Sequence, residues 1–338
     1  MLASVAFHEV PACYDSKAGR TLLVQGSDSG RSNGPATSSW QLDGRQPYGS
    51  GQVVGPCANG SSDGRLFTWK VSEHQPKVID LVELSHTENL THNSLRIQFP
   101  TEVFPSVCAH SGAGQVQSGC WFHLYTLTQD GVAYRIDVPP PDKTGASVLA
   151  RLAKGNISSV PLDEELLTNV QSPTSLACSG LGLLVGGSNG GVLCVPLNAF
   201  ASTDQARFEP IEGVTVLKDP ILQRLWSGLV NLGQRAKSLV QGSKPNPVRA
   251  MAVDRWQGRA VLLVLHEDYT LRMWDLSKQQ SVLATTLSGR TKTLAASAVP
   301  GEEHCAPQPL GGPSFLCVHP SQDRTGLHIV VDVAEPQG

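Results

Sequence analysis

The stretch AVLLVLHEDYTLRMWDL, residues 260–276, decides the fold. Two apolar runs, 260–265 and 271–276, flank a polar step at His266, Glu267, Asp268 and Tyr269, the pattern of two strands joined by a tight turn. The same pattern recurs upstream. It appears as FHLYTLTQDGVAYRIDV (122–138) around Asp130-Gly131 and as GLLVGGSNGGVLCVPL (182–197) around Asn189-Gly190. It appears again as Ser61-Ser62-Asp63-Gly64 followed by RLFTWKV. Asp-Gly and Asn-Gly supply the positive φ that two-residue hairpin turns demand. A weaker copy begins at Thr21 (TLLVQGSDSG), and another closes the chain as PSFLCVHPSQDRTGLHIVVDV (313–333).

Recurrent hairpins with Trp69 or Trp274 late in the second strand describe the blades of a β-propeller. LRMWDL resembles the end of a WD-type blade. The turns at 63, 130, 189 and 268 lie 67, 59 and 79 residues apart, beyond the roughly 40–45 of a compact WD repeat. The expected architecture is therefore all-β: an irregular WD-like propeller with long insertions, occupying residues 1–338 as one domain. The chain stops soon after the strand-like HIVVDV, so the expectation includes an incomplete ring. Residues 26–60 are rich in Gly, Ser, Pro and Asn and read as a flexible insertion, as do 111–119, 139–145 and 295–313.

One insertion has its own periodicity. In DPILQRLWSGLVNLGQRAKSLVQG, residues 219–242, Ile221, Leu222, Leu225, Trp226, Leu229 and Leu232 fall in one helical sector. Gln223, Arg224, Ser227, Asn231 and Gln234 fall opposite. Asp219 suits the N-cap with Pro220 first in the helix, and Gly242 with Pro245 stops it. The apolar sector is a candidate contact for a partner protein or for a curved membrane, because its polar face is short of basic residues.

Composition excludes several functions. Of 338 residues, 16% are charged, and the net charge of −3 provides no basic field for binding nucleic acid through its phosphates. The 33 Gly and 23 Pro suit turns better than long charged helices. The eight Cys form no C-x-x-C and mostly sit in apolar runs, so buried reduced thiols are expected. The N-terminus lacks a basic segment followed by a sustained apolar core, and the chain has no run of about 18 apolar residues. Two G-x-S-x-G matches, 60–64 and 186–190, lie between strands, not at the strand-to-helix turn that a nucleophilic serine needs. Ten His show no metal-ligand spacing, and His266-Glu267-Asp268 sits at a turn where polar residues belong. No catalytic, cofactor, metal or small-molecule site is expected.

The order ILQRLWSGL (221–229), NPVRAMAVD (246–254), VLLVLHEDYTLRMWDL (261–276) and QQSVLATTL (279–287) resembles the N-terminal propeller of the outer-ring nucleoporin called one-sixty in animals and plants and one-twenty in yeast. Asp268, Leu271, Arg272, Met273 and Trp274 match that family's blade motif. FTWKV (67–71), NSLRIQFP (93–100), LTQDGVAYRIDVPPP (127–141) and GGVLCVPL (190–197) follow in its order. The segment before residue 60 has no placed counterpart, and the family's long α-helical C-terminal region is absent from this chain. The resemblance implies a non-enzymatic scaffold of the Y-shaped complex at the nuclear envelope. It supports pore assembly, mRNA export and protein transport, with other Y-complex nucleoporins as partners. Without the resemblance, the residues leave open a generic WD-like adaptor or a propeller enzyme.

Overall fold

The computed structural model describes residues 20–24, 50–54, 65–72, 74–85, 90, 92–110, 120–142, 146–200, 213–217, 246–256, 258–286, 315–320 and 327–332. Among them strands dominate, and one α-helix, α1 (Glu164–Thr168), spans five residues. The first sheet contains β1 (Arg20–Leu23), β2 (Ser50–Val54), β3 (Leu66–Ser72), β4 (Gln75–Leu84) and β5 (Ser94–Gln98), in the order β1-β5-β4-β3-β2. The second is the meander β6 (Cys108–His110), β7 (Phe122–Leu127), β8 (Val132–Val138) and β9 (Ile157–Pro161). The third is β10 (Pro173–Ser179), β11 (Gly182–Gly187), β12 (Val192–Pro196) and β13 (Thr215–Leu217). The fourth is β14 (Val248–Trp256), β15 (Arg259–His266), β16 (Thr270–Asp275) and β17 (Gln280–Thr286), and β18 (Phe315–Pro320) pairs with β19 (Leu327–Asp332) beyond it. The first strands β2, β6, β10, β14 and β18 neighbour one another in turn, as the inner strands of successive propeller blades do.

The wholly apolar strands follow from this arrangement, because an interior blade is covered on both faces and side chains alternate between them. On the second sheet, Leu124 and Ile136 pack against Phe67, Ile79 and Leu81 of the first. Their neighbours Tyr125, Leu127 and Ala133 pack against Leu183, Val185 and Val195 of the third. Leu184 and Val192 then turn to Val248, Leu262, Val264 and Trp274 of the fourth.

Three expected hairpins form as read: β7–β8 around Asp130-Gly131, β11–β12 around Asn189-Gly190 and β15–β16 around Asp268-Tyr269. Gly190 has φ +85°, the left-handed conformation that glycine adopts without steric cost. The closing hairpin forms as β18–β19.

Near Thr21, β1 adds in parallel to β5, and Arg20 also donates to the carbonyls of Leu149 and Leu152, while the turn and second strand expected after it lie outside the described residues. Within residues 26–60, residues 50–54 form strand β2, with Gly51 opposite Trp69. The Asp63-Gly64 turn lies outside the described residues, on the connection from the first to the second strand of its blade; the other three turns join second to third. Residues 218–245, which include the expected helix with Ile221, Leu222, Leu225, Trp226, Leu229 and Leu232, also lie outside them.

The outer edges differ. β1 covers β5, β9 ends in Pro161, and β13 is three residues long. β17 is seven residues long, QSVLATT, carries neither charge nor proline, and exposes Val282 and Leu283 by 50% and 47%.

Candidate functional site

The blade motif resolves into packing residues. On β16, Leu271 and Met273 stand opposite Leu265 and Leu263, and all four share one apolar cluster with Ala250 and Val261. Trp274, opposite Leu262, turns to the other face and fills the junction with the third sheet. Arg272 pairs across from Val264 and is half-buried. Asp268 shapes the turn: its carboxylate accepts the Thr270 N–H at 2.8 Å, and its own N–H donates to Asn246 Oδ1 at 3.2 Å. Burial raises the Asp268 carboxyl, but hydrogen bonds from the Thr270 backbone and side chain and from the Asn246 side chain outweigh it and hold the group below its ordinary range. Beside it His266 Nδ1 lies 3.1 Å from the Asn246 carbonyl, and Glu267 pairs with Arg249 at 3.0 Å. The turn thus ties β16 to the entry of β14, which is a structural task.

The two G-x-S-x-G matches gain no elbow geometry. Residues 186–190 end β11 and turn into β12, so no helix follows Ser188. The match at 60–64 lies outside the described residues. Cys120 and Cys178 are buried, Cys108 and Cys194 are half-buried, and these four are unbridged.

Two polar clusters escaped the sequence reading. At the junction of the first and second sheets, Arg65 Nη1 lies 2.7 Å from Glu83 Oε1, while Glu83 Oε2 accepts the Ser147 hydroxyl and the Val148 N–H. Glu83 stands opposite Phe67 and so faces the apolar junction.

The second cluster gathers at one end of the second sheet. His123 on β7 stands opposite Asp137 on β8, and its Nδ1 lies 2.6 Å from Asp137 Oδ1. Cys120 Sγ, just before β7, lies 3.4 Å from the same nitrogen and donates to the Phe122 carbonyl at 3.2 Å. Arg135 approaches both Asp137 oxygens, at 2.8 and 3.0 Å, and reaches the Leu197 carbonyl and the Phe200 ring in the 3-10 turn that follows β12. Burial raises the Asp137 carboxyl, but the His123 hydrogen bond and Arg135 outweigh it, so the group stays below its ordinary range. Burial, and then the Asp137 charge, push the Cys120 thiol up to about 12. Burial, then the charges of His123 and Arg255, lower His110, which stands opposite His123 on β6.

This is not the geometry of a nucleophilic triad. There the nucleophile and the orienting carboxylate meet opposite nitrogens of the imidazole; here Cys120 and Asp137 converge on one. The thiol is also held protonated, whereas the thiolate is the reactive form. The sequence carried one faint signal, the C-x-x-H spacing of Cys120 and His123; Asp137 joins them only through β7–β8 pairing. Among the described residues no helix is long and apolar enough to cross a membrane.

Known proteins share this pattern of blades. Residues 65–338 match the model of the family described as nucleoporin Nup120/160, beta-propeller domain. The chain is 24% identical over 274 residues to the nuclear pore complex protein NUP160 of Arabidopsis thaliana, covering 79% of this chain and 16% of that protein. The chain thus corresponds to about a sixth of that relative's length. Among solved structures, BBS1N from its complex with ARL6DN aligns over 71% of this chain and 52% of that one, at a TM-score of 0.38 and 12% identity, a similarity that carries no weight here. The four meander sheets with adjoining first strands and the match across residues 65–338 agree: this chain belongs to the Nup120/160 nucleoporin β-propeller family.

Proposed function

We propose that this chain is a scaffold module of the nuclear pore outer ring, located at the nuclear envelope and working through its surfaces. The family match over residues 65–338 carries this reading. The placement of Asp268, Leu271, Met273 and Trp274 in turns and apolar clusters of the sheets supports it, since these residues maintain a platform. The shared nitrogen of the Cys120 cluster favours a structural over a catalytic role. Its partners are the other nucleoporins of the Y-shaped complex, and its contribution to mRNA export and protein transport is indirect, through pore assembly. The domain extends over residues 1–338, with the 219–242 helix as an added contact element.

Affinity purification of the tagged chain from cells, with quantitative mass spectrometry, tests the proposal. Co-recovery of outer-ring nucleoporins above an unrelated propeller supports it, and their consistent absence overturns it. A membrane contact through Ile221, Leu225, Trp226 and Leu229 rests on the sector these residues share in the sequence. A peptide of residues 219–242 then gains more helicity with small liposomes than with large ones; no response to either removes the membrane role.

A further inference from the structure

We propose that Cys120, His123 and Asp137 bind a zinc(II) ion at one end of the second sheet. A thiol, an imidazole and a carboxylate are the three side-chain classes that ligate zinc. Their donor atoms all lie within 4.8 Å of one another, with Cys120 and His123 buried. The decisive feature is convergence. Sγ and Oδ1 both approach the Nδ1 edge of one ring, so one ion at the position of the Nδ1 proton touches all three donors.

Tetrahedral zinc, with bonds of about 2.3 Å to sulfur and about 2.0–2.1 Å to nitrogen and oxygen, sets its S···N edge near ~3.5 Å and its N···O edge near ~3.3 Å. The 3.4 Å between Cys120 and His123 already fits. The 2.6 Å between His123 and Asp137 must open by about 0.7 Å to reach that edge. The scaffold is rigid where it matters, because His123 and Asp137 are directly paired on neighbouring strands and Cys120 precedes His123 by one C-x-x-H step. Arg135 serves as the outer partner that orients the carboxylate, a role usual around metal ligands.

The charges balance. Zinc displaces one proton to solvent, that of the Cys120 thiol, while the neutral His123 ring keeps its single proton on Nε2 and leaves Nδ1 to the ion. The resulting thiolate, neutral imidazole and carboxylate carry two negative charges against the ion's two positive ones, and Arg135 keeps its place. A thiolate in the set favours zinc over magnesium or calcium, which prefer all-oxygen sites. His110 stands opposite His123 across the β6–β7 pair, on the same face of the sheet.

The test uses the full chain, stripped with a chelator and titrated with zinc against a chromophoric competitor, with cobalt(II) as spectroscopic probe. The expected result is one zinc per chain and a cobalt spectrum with a thiolate charge-transfer band. Cys120→Ser and His123→Ala abolish both, while Cys178→Ser leaves both intact. Asp137→Asn, close in shape to the original, weakens zinc about 10–100-fold. Circular dichroism verifies that each variant is folded; should the first two unfold, the wild-type cobalt spectrum and Asp137→Asn decide. No uptake, uptake without a thiolate band, or affinity unchanged in Asp137→Asn overturns the proposal.

Discussion

Arg65 and Glu83 form an ion pair at 2.7 Å inside the junction between the first two blades, where the Glu83 side chain is 0% and that of Arg65 8% exposed. Glu83 also accepts from Ser147 and Val148 of the next blade, so one carboxylate joins two blades across their largely apolar junction. Removing one member of a buried pair leaves the other charge uncompensated, which costs about 3–5 kcal/mol. Glu83→Ala is therefore expected to lower urea-unfolding stability by about that amount. Arg65→Met combined with Glu83→Leu should recover much of the loss; a double variant as unstable as the sum of the singles would contradict this account.

Gly51 sits opposite Trp69, and a β-carbon at Gly51 would lie 2.3 Å from the indole ring. Gly51→Ala must push the ring from its place against Phe67 and Leu81. Overpacking of this kind costs about 1–3 kcal/mol. Thermal unfolding should show the loss, and the tryptophan emission of the folded state should shift to longer wavelength.

Trp274 fills the junction of the third and fourth sheets at 3% exposure, whereas its motif neighbour Arg272 is half-buried. Trp274→Ala should cost about 3–5 kcal/mol through the cavity it leaves. Arg272→Ala should cost clearly less in the same denaturation series.

Alkaline stability reports on Tyr134, which packs edge-on to Phe99. Burial, and then the Asp130 charge, push its phenol from an ordinary value near 10 up to about 12. The folded state therefore prefers the protonated phenol. Its contribution is fully present below pH ~10 and is lost as pH rises towards ~12. Tyr134→Phe should flatten the fall in stability across that window; an unchanged slope would assign the fall to other groups.

The parts of the fold that the sequence displayed are those with local causes. Asp130-Gly131 and Asn189-Gly190 declare their turns because backbone sterics restrict which residues enter positive φ, and the flanking apolar runs declare strands buried on both faces. β1 left no such trace, because its parallel partner β5 lies about 75 residues away and nothing local specifies the pairing. β2 was hidden because SGQVV has small and polar residues, and only the indole across from Gly51 explains why. The polar clusters were invisible for the same reason. Glu83 meets Arg65, and His123 meets Asp137, by cross-strand register that neither residue's neighbours encode. The family motif was readable as a pattern, but its task became clear only when Met273 and Trp274 were seen to pack on opposite faces of the fourth sheet.

Among the described residues no strand pairs with the outer edge of β17, and this has a practical consequence. An uncharged, proline-free edge strand with two large apolar side chains in solvent is a template for strand pairing between molecules. Concentrated solutions of the isolated chain should then cloud through contacts at Val282 and Leu283 while the blades remain folded. A single lysine at 282 would blunt that edge and extend shelf life without touching a blade junction.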